Sequence, residues 1–292
     1  MKTCARLAMV IAIAASLLFT AGCNKLRARD QLNKGVKAYR SANYEQAIEH
    51  FKTAVFLDSD LKVAKLYLAT AYAQQYVPGV ESPDNVRNAN QAIDEYKKVL
   101  DNDPKNINSL KGIGFLYMQM KDWDKAREYY KKAIDVDPND PEVYYSVGVI
   151  DWTQSYKDAS DLKAANSLKV DDELKGKGSQ KWCDQLKSKD GAAIDEGMKM
   201  LQTAIDKRED YDDAMAYMNL LYRRKASDMT CDDAQARADL IKTANEWSDK
   251  AMAARKKKAE EAAKKNQGGI VLDTPQGQQG QSSGQSQQPQ KK

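Results

Sequence analysis

Residues able to perform acid–base or nucleophilic chemistry are few in this chain of 292 residues. Its one histidine, His50, occupies an exposed-type position of a helical segment, so we expect a solvated surface side chain there. The stretch from Gly176 to Lys181 has glycines and lysines but lacks phosphate-loop spacing, and no HExxH or nucleophile-elbow motif occurs. The sequence therefore predicts no enzyme, no cofactor and no metal site.

The N-terminal segment has the pattern of a signal peptide. Lys2 and Arg6 give it a basic start, and an apolar run extends from Leu7 to Phe19. That run is too short for a membrane-spanning helix and has the length of a signal-peptide core. We therefore predict that residues 1–22 are a signal peptide and that the protein is exported.

The end of this segment reads TAGC, residues 20–23, and resembles the bacterial lipobox. In that motif a cysteine is acylated and becomes the mature N-terminus, which predicts lipid attachment at Cys23. Thr20 stands where the lipobox usually has leucine, and the alternative is an ordinary secretory signal cleaved near Ala21. Asn24 is not the aspartate that resembles an inner-membrane retention signal, so the resemblance favours a periplasm-facing anchor in the outer membrane.

The composition fits a helical protein outside the membrane and gives no indication of nucleic-acid binding. Charged residues make up 30% and apolar residues 42% of the chain, with only seven prolines. The formal net charge is +4, and removing residues 1–22, which hold two basic residues and no acidic one, leaves +2. A nearly neutral protein lacks the basic excess that phosphate backbones require.

A period of 34 residues runs through the chain and indicates an internal repeat. Residues of the same or similar size recur at this distance: Gly35 and Ala69, Ala92 and Ala126, Pro104 and Pro138, Gly114 and Gly148. This pattern resembles the tetratricopeptide repeat, a pair of antiparallel helices. Small residues let the two helix axes approach closely, and proline ends the second helix.

The resemblance covers residues 28–255 and implies an all-α helical-hairpin solenoid of about five repeats. Residues 107–140 form the clearest repeat. Eleven residues are inserted in the second repeat, around 76–86, and 37 in the fourth, whose second helix we expect to begin at Gly191. Both insertions fall between the two helices of a repeat, and hence on one edge of the solenoid. We expect the solenoid with a charged last helix over residues 23–265.

Family resemblance also implies a concave groove that binds a partner segment. The groove positions of the first helix in each repeat map onto Leu32, Val36, Tyr39, Leu66, Thr70, Lys111, Phe115, Met118, Tyr145, Val149, Trp152, Ala216, Leu220 and Arg223. These residues are mostly apolar or aromatic, which suits apolar anchors of an extended or helical segment. The alternative is that the chain's own insertion or N-terminal segment fills the groove.

Two cysteines remain beside Cys23 in the exported chain, and their positions favour a disulfide. Cys183 lies in the insertion of the fourth repeat, and Cys231 lies between the helices of the fifth. These segments are neighbours on one edge of the implied solenoid, and exported proteins meet oxidising conditions. We predict a Cys183–Cys231 disulfide; two unpaired thiols are the alternative.

The C-terminal region divides into a charged helix and a tail. The basic run from Arg255 to Lys258 either faces solvent or touches anionic headgroups, and acidic Glu260 and Glu261 favour solvent. Residues 266–292 are rich in glutamine, glycine and serine, which predicts a disordered tail. Its one apolar stretch, residues 270–272, is a weak candidate for a docking motif.

These observations predict a lipid-anchored scaffold that binds other cell-envelope proteins. Lipoproteins of similar build take part in outer-membrane protein assembly, pilus assembly and the regulation of cell-wall enzymes. Two alternatives stay open: a small-ligand carrier with an enclosed apolar cavity under Trp152 and Trp182, and a cell-wall enzyme with converging carboxylates in a cleft. No nucleic-acid partner is expected.

Overall fold

The computed structural model describes residues 23–170, 172–174 and 178–267, which form an all-α fold without strands. Ten helices follow one another in these residues: α1 (23–40), α2 (Tyr44–Leu57), α3 (Lys62–Gln75), α4 (Pro83–Asn102), α5 (Ile107–Gln119), α6 (Trp123–Val136), α7 (Pro141–Ala165), α8 (Gln180–Lys207), α9 (Asp212–Met229) and α10 (Ala234–Gln267). From α2 onward, successive helices pack together, and α9 also contacts α7. The predicted solenoid of five helical hairpins is confirmed. The predicted signal peptide and the tail from residue 268 lie outside the described residues.

Short turns with one left-handed residue join the two helices of three hairpins. Ala42, Lys121 and Cys231 have φ angles of 56°, 62° and 51° and stand at corresponding places in the first, third and fifth hairpins. Asn43 follows the first of them and accepts a hydrogen bond from the backbone N–H of Gln46. The left-handed residue reverses the chain, and the cap starts the next helix.

Small residues hold the paired helices close together, as the repeat pattern predicts. Ala47, Ala92 and Ala126 are fully buried at equivalent positions of the second helices. A Cβ atom placed on Gly148 would lie 2.5 Å from Cγ of Leu201, so only glycine permits the approach of α7 to α8.

The large insertion lengthens two helices instead of forming a separate segment between them. The predicted start of the second helix at Gly191 is wrong, because α8 already begins at Gln180. Buried side chains continue through Gly191 at helical spacing: Cys183, Leu186, Asp190, Ile194 and Gly197. Glycine is a weak helix former, but the buried stripe stabilises the helix through it. The added turns of α7 and α8, residues 156–165 and 180–190, form an arm at the insertion edge.

The smaller insertion forms a compact loop of residues 76–82 and lengthens α4 at its start. Asn85, which is buried, holds the loop in place. Its Oδ1 accepts from the N–H of Val77, and its Nδ2 donates to the carbonyl oxygens of Val77 and Val80, all at 2.7 Å. One buried amide therefore satisfies three backbone groups of the loop.

The arm is fastened to the last hairpin by a disulfide and a buried ion pair. Cys183 and Cys231 form the disulfide, the pairing that the sequence predicts, with 5.6 Å between their Cα atoms. Nζ of Lys163 lies 2.7 Å from Oδ1 of Asp228, and both side chains are almost completely buried. Arg224 also pairs with Asp228, so the buried carboxylate has two cationic partners.

The last helix closes the stack through ion pairs with the preceding helix. Nε of Arg255 and Nζ of Lys258 each lie 2.7 Å from a carboxylate oxygen of Asp212, in the first turn of α9. Arg255 and Lys258 of the basic run therefore form ion pairs within the protein. Lys256 and Lys257, which stand between them, are exposed. Among the described residues, no helix combines the length and apolar character that a membrane crossing requires.

Candidate partner-binding groove

The first helices of the hairpins line the groove. In its N-terminal half, the groove side chains pack on the adjoining apolar core. Leu32, Val36, Tyr39 and Leu66 are half-buried and pack against the core cluster of the first three hairpins. The ring of Tyr39 meets that of Tyr67 with centroids 6.3 Å apart. The predicted residues of α1 and α3 therefore form the floor of this half, with part of each side chain accessible.

A cavity of about 320 Å³ opens between α3 and α5. Its lining residues are Leu66, Tyr67, Thr70, Tyr96 and Asn108. Leu66 and Thr70 are predicted groove residues, whereas Tyr96 comes from the second helix of its hairpin and was missed. The Tyr96 hydroxyl donates to Oγ1 of Thr70 at 3.2 Å, and burial raises the pKa of Tyr96. The cavity has apolar walls and a few polar groups, which suits an apolar side chain.

Phe115 is the most accessible of the predicted apolar groove residues. It lies on α5 and is 48% exposed, while Val63, one turn before Leu66 on α3, is 41% exposed. Nζ of Lys111, one turn before Phe115, forms an ion pair of 2.6 Å with Asp140. The two helices that border the cavity thus present exposed apolar side chains, Val63 and Phe115. The lysine of this half, Lys111, is already paired with Asp140.

The C-terminal half of the groove is filled by an aromatic chain between α7 and α9. The ring of Tyr217 contacts both Tyr145 and Trp152, with centroid distances of 5.6 Å and 5.4 Å. Tyr211 lies 5.1 Å from Tyr145 on the other side. Burial raises the pKa of Tyr145 above its ordinary value. These contacts join neighbouring repeats, so Tyr145 and Trp152 serve packing more than partner contact.

The remaining predicted groove residues lie along the same helices. Met118, Val149, Ala216 and Leu220 are half-buried, and Arg223 is exposed. Nη2 of Arg223 donates to Oδ1 of Asn245 at 2.7 Å, which ties α9 to α10. Among the described residues, the rings that cover the C-terminal half come from Tyr217 of α9 and, at Trp152, from Tyr156 of the insertion. The N-terminal segment of the self-filling alternative lies outside the described residues.

The described residues offer little support for an enzyme. His50 is half-buried, and its Nδ1 lies 2.8 Å from Oε1 of Gln31, so the predicted solvated histidine is in fact hydrogen-bonded between α1 and α2. No group of three histidine, cysteine or acidic side chains suited to a metal ion occurs in this part of the chain.

Carboxylates with raised pKa values do occur, but they lie inside the helix packing. Burial raises the pKa of Asp151 to about 6, although Nη2 of Arg127 approaches its Oδ1 to 2.7 Å. Burial and the facing Asp158 raise the pKa of Asp190 to about 7, and Asp190 is only 3% exposed. Side chains so enclosed cannot reach a polymeric substrate, so these groups are structural.

The two tryptophans of the carrier alternative belong to different clusters. Trp152 packs with α8 and α9, whereas Trp182 packs against the cluster around the Cys183–Cys231 disulfide. Within the described part of the chain, the two tryptophans therefore pack in separate places.

Comparison with known proteins identifies the repeat. Residues 107–140, the third hairpin, match the family model of the tetratricopeptide repeat. The chain contains a tetratricopeptide repeat. Solved structures of this fold align with most of the chain. One is a MamA protein, which aligns with a TM-score of 0.53 and 15% identity over 80% of this chain and 94% of the MamA chain. MamA from Desulfovibrio magneticus RS-1, residues 41 to the end, aligns with a TM-score of 0.51, 15% identity and coverage of 79% and 96%.

Curated relatives match only part of this chain. The Protein CTR9 homolog of Arabidopsis thaliana is 37% identical over 57 residues, which is 20% of this chain. The general transcriptional corepressor ssn6 of Schizosaccharomyces pombe is 27% identical over 124 residues, which is 40% of this chain. The matches span 5% and 11% of the lengths of these relatives. These short matches support the presence of the repeat and nothing beyond it.

Proposed function

We propose that this protein is a periplasmic interaction scaffold, anchored through Cys23, that binds an apolar segment of another cell-envelope protein in the N-terminal half of its groove. The observation that carries the proposal is the accessibility of Phe115 and Val63 on α5 and α3, the two helices between which the cavity opens. Exposed apolar side chains grouped in a concave surface are typical of a binding site. The aromatic contacts that cover Tyr145 and Trp152 in the C-terminal half favour α1, α3 and α5 as the site.

A photoreactive residue at position 115, followed by mass spectrometry of the captured protein, tests this site. The matched control is position 56, because Phe56 is 88% exposed but lies on α2, a second helix of its hairpin. We expect one envelope protein to be captured from position 115 and not from position 56. Capture of the same proteins from both positions would contradict a specific groove.

Asn108→Glu provides an independent test of the cavity. Asn108 is exposed at the lip of the cavity and stands in the first turn of α5, where an acidic residue favours the helix. The substitution therefore places a charge at the apolar site without weakening the fold. We expect the crosslink from position 115 to fall at least about tenfold, and an unchanged crosslink at unchanged protein level would exclude the cavity.

The proposed anchor is supported by the lipobox-like residues 20–23 and by the position of Cys23, which is exposed and unpaired at the start of α1. Cys23→Ser should release the protein from the membrane fraction into the soluble periplasm. A variant that stays in the membrane fraction would show that another feature holds the protein there.

A further inference from the structure

The first helix carries a concentration of positive charge that the groove does not use. Among its 18 residues α1 holds one acidic residue, Asp30, and six basic ones: Lys25, Arg27, Arg29, Lys34, Lys37 and Arg40. Residues 41–267 contain 36 basic and 40 acidic residues. A net charge of +5 therefore sits on one terminal helix of a protein whose other helices are acidic overall.

The charges of α1 are free to meet an external surface. All six basic side chains are exposed, and within the described residues only Lys34 has an ion-pair partner, Asp30 at 2.8 Å. Leu26 lies among these charges and is 72% exposed. The opposite side of α1 carries Ala28 and Ala38, which are buried, so most of the charged face points away from the core.

We propose that the exposed face of α1 lies along an anionic lipid surface. Exposed cations around an accessible leucine are the pattern of a helix at a membrane interface, where the apolar side chain enters the headgroup layer. The charges extend over 16 residues, or roughly 24 Å of helix. Because salt screens charges beyond about 8 Å, only a helix lying flat brings all six to the surface.

Two features favour lipid over a nucleic acid or an acidic protein. The acidic excess of residues 41–267 repels a long polyanion that would extend past α1, whereas a planar surface meets α1 alone. Residue 23, the proposed lipid-attachment site, begins the same helix. A lipid anchor at this residue would hold α1 close to the headgroups, where its basic side chains can meet anionic lipid.

Vesicle binding by the unacylated protein separates this contact from the lipid anchor. Residues 23–292 with Cys23→Ser keep every described helix, so failure of the acylation proposal does not affect the result. The probe is a vesicle of phosphatidylcholine with about one quarter phosphatidylglycerol, and pure phosphatidylcholine is the reference. We expect binding to the anionic vesicle only, weakened when the salt concentration is raised to about 0.5 M.

Two matched triple variants locate the contact. Replacing the distal cations of α1, Lys34, Lys37 and Arg40, with glutamine should weaken binding at least roughly tenfold. Replacing three exposed lysines of α10, Lys256, Lys257 and Lys264, changes the net charge equally and should leave binding within about twofold. Glutamine is a good helix former, and far-ultraviolet circular dichroism checks that both variants keep their helices.

Three outcomes would overturn the proposal. Equal weakening by both triple variants would mean that net charge alone drives binding. Binding unaffected by the α1 variant would mean that α1 does not lie along the surface. No binding to the anionic vesicle would remove lipid as the occupant and leave an acidic protein face as the partner of α1.

Discussion

At the scale of single residues, a glycine decides whether the groove has a cavity. Tyr96 reaches from α4 across α5 and forms one wall of the cavity. A Cβ atom on Gly112 would lie 2.5 Å from Cζ of this buried ring. The missing side chain at position 112 therefore lets the tyrosine reach Thr70, to which it donates its hydrogen bond.

Gly112→Ala should destabilise the protein by about 1–2 kcal/mol, because overpacking against Tyr96 exceeds the gain in helix propensity. Urea unfolding measures this change. Gly191→Ala is the matched control: it is also inside a helix, and a Cβ there meets nothing within 4 Å. It should stabilise the protein by about 0.5–1 kcal/mol. Equal effects of the two substitutions would contradict the role of Gly112.

At the scale of elements, a pair of carboxyl groups joins the two helices of the arm. Asp190 on α8 faces Asp158 on α7, and Nζ of Lys189 lies 2.9 Å from Oδ1 of Asp158. Burial is the largest cause that raises the pKa of Asp190 to about 7, and the charge of Asp158 is the next. Asp228 on α9 adds a smaller effect in the same direction. A proton retained on Asp190 allows the two side chains to share a hydrogen bond inside the arm.

The pH dependence of stability follows from this raised pKa. An unfolded aspartate has a pKa of about 3.9, so the folded state holds the proton more tightly and loses stability as pH rises from about 4 to about 7. Asp190→Asn keeps a neutral donor at this position and removes the titration. We expect it to raise the free energy of unfolding by about 2 kcal/mol at pH 8 and to change it little at pH 4.

Unfolding of both proteins by urea at the two pH values measures this difference. Asp239→Asn is a suitable control because Asp239 is exposed on α10, away from the arm. An Asp190→Asn effect of the same size at pH 4 and pH 8 would show that the retained proton does not stabilise the arm.

At the scale of the whole molecule, the two ends of the solenoid are built differently. The last two hairpins are linked by the disulfide, by the buried pair of Lys163 and Asp228, and by the aromatic chain through Tyr217. The first hairpins share an apolar core and leave their groove open. Because repeats contact only their neighbours, each end can differ in local stability. We infer a rigid C-terminal half and an N-terminal half adapted for contact.

Reduction of the disulfide should lower stability locally. The cross-link joins residues 48 apart in sequence, which corresponds to about 2–4 kcal/mol of stabilisation. Hydrogen exchange with reductant should show reduced amide protection in α8 and α9 and unchanged protection in α2 and α3. The Cys183→Ala, Cys231→Ala variant should not respond to reductant. A uniform loss along the chain would mean that the solenoid unfolds as one unit.

The sequence by itself determined the repeat, the all-α class and the two linked cysteines. Recurring small residues define helix pairs wherever they occur, and Gly148 against Leu201 illustrates why. The positions of Cys183 and Cys231 in neighbouring hairpins follow from the same period. These properties depend on local spacing, which a single chain displays directly.

Only the tertiary structure decided which part of the groove is open. Tyr145 and Phe115 are both predicted groove residues, yet Tyr217 covers the first, whereas the second is 48% exposed. The continuous α8, the raised pKa of Asp190 beside Asp158, and the cavity wall from Tyr96 likewise depend on partners far away in sequence. The exposure and the pKa of a side chain depend on how several helices pack around it. A local sequence pattern does not specify which helices will come into contact.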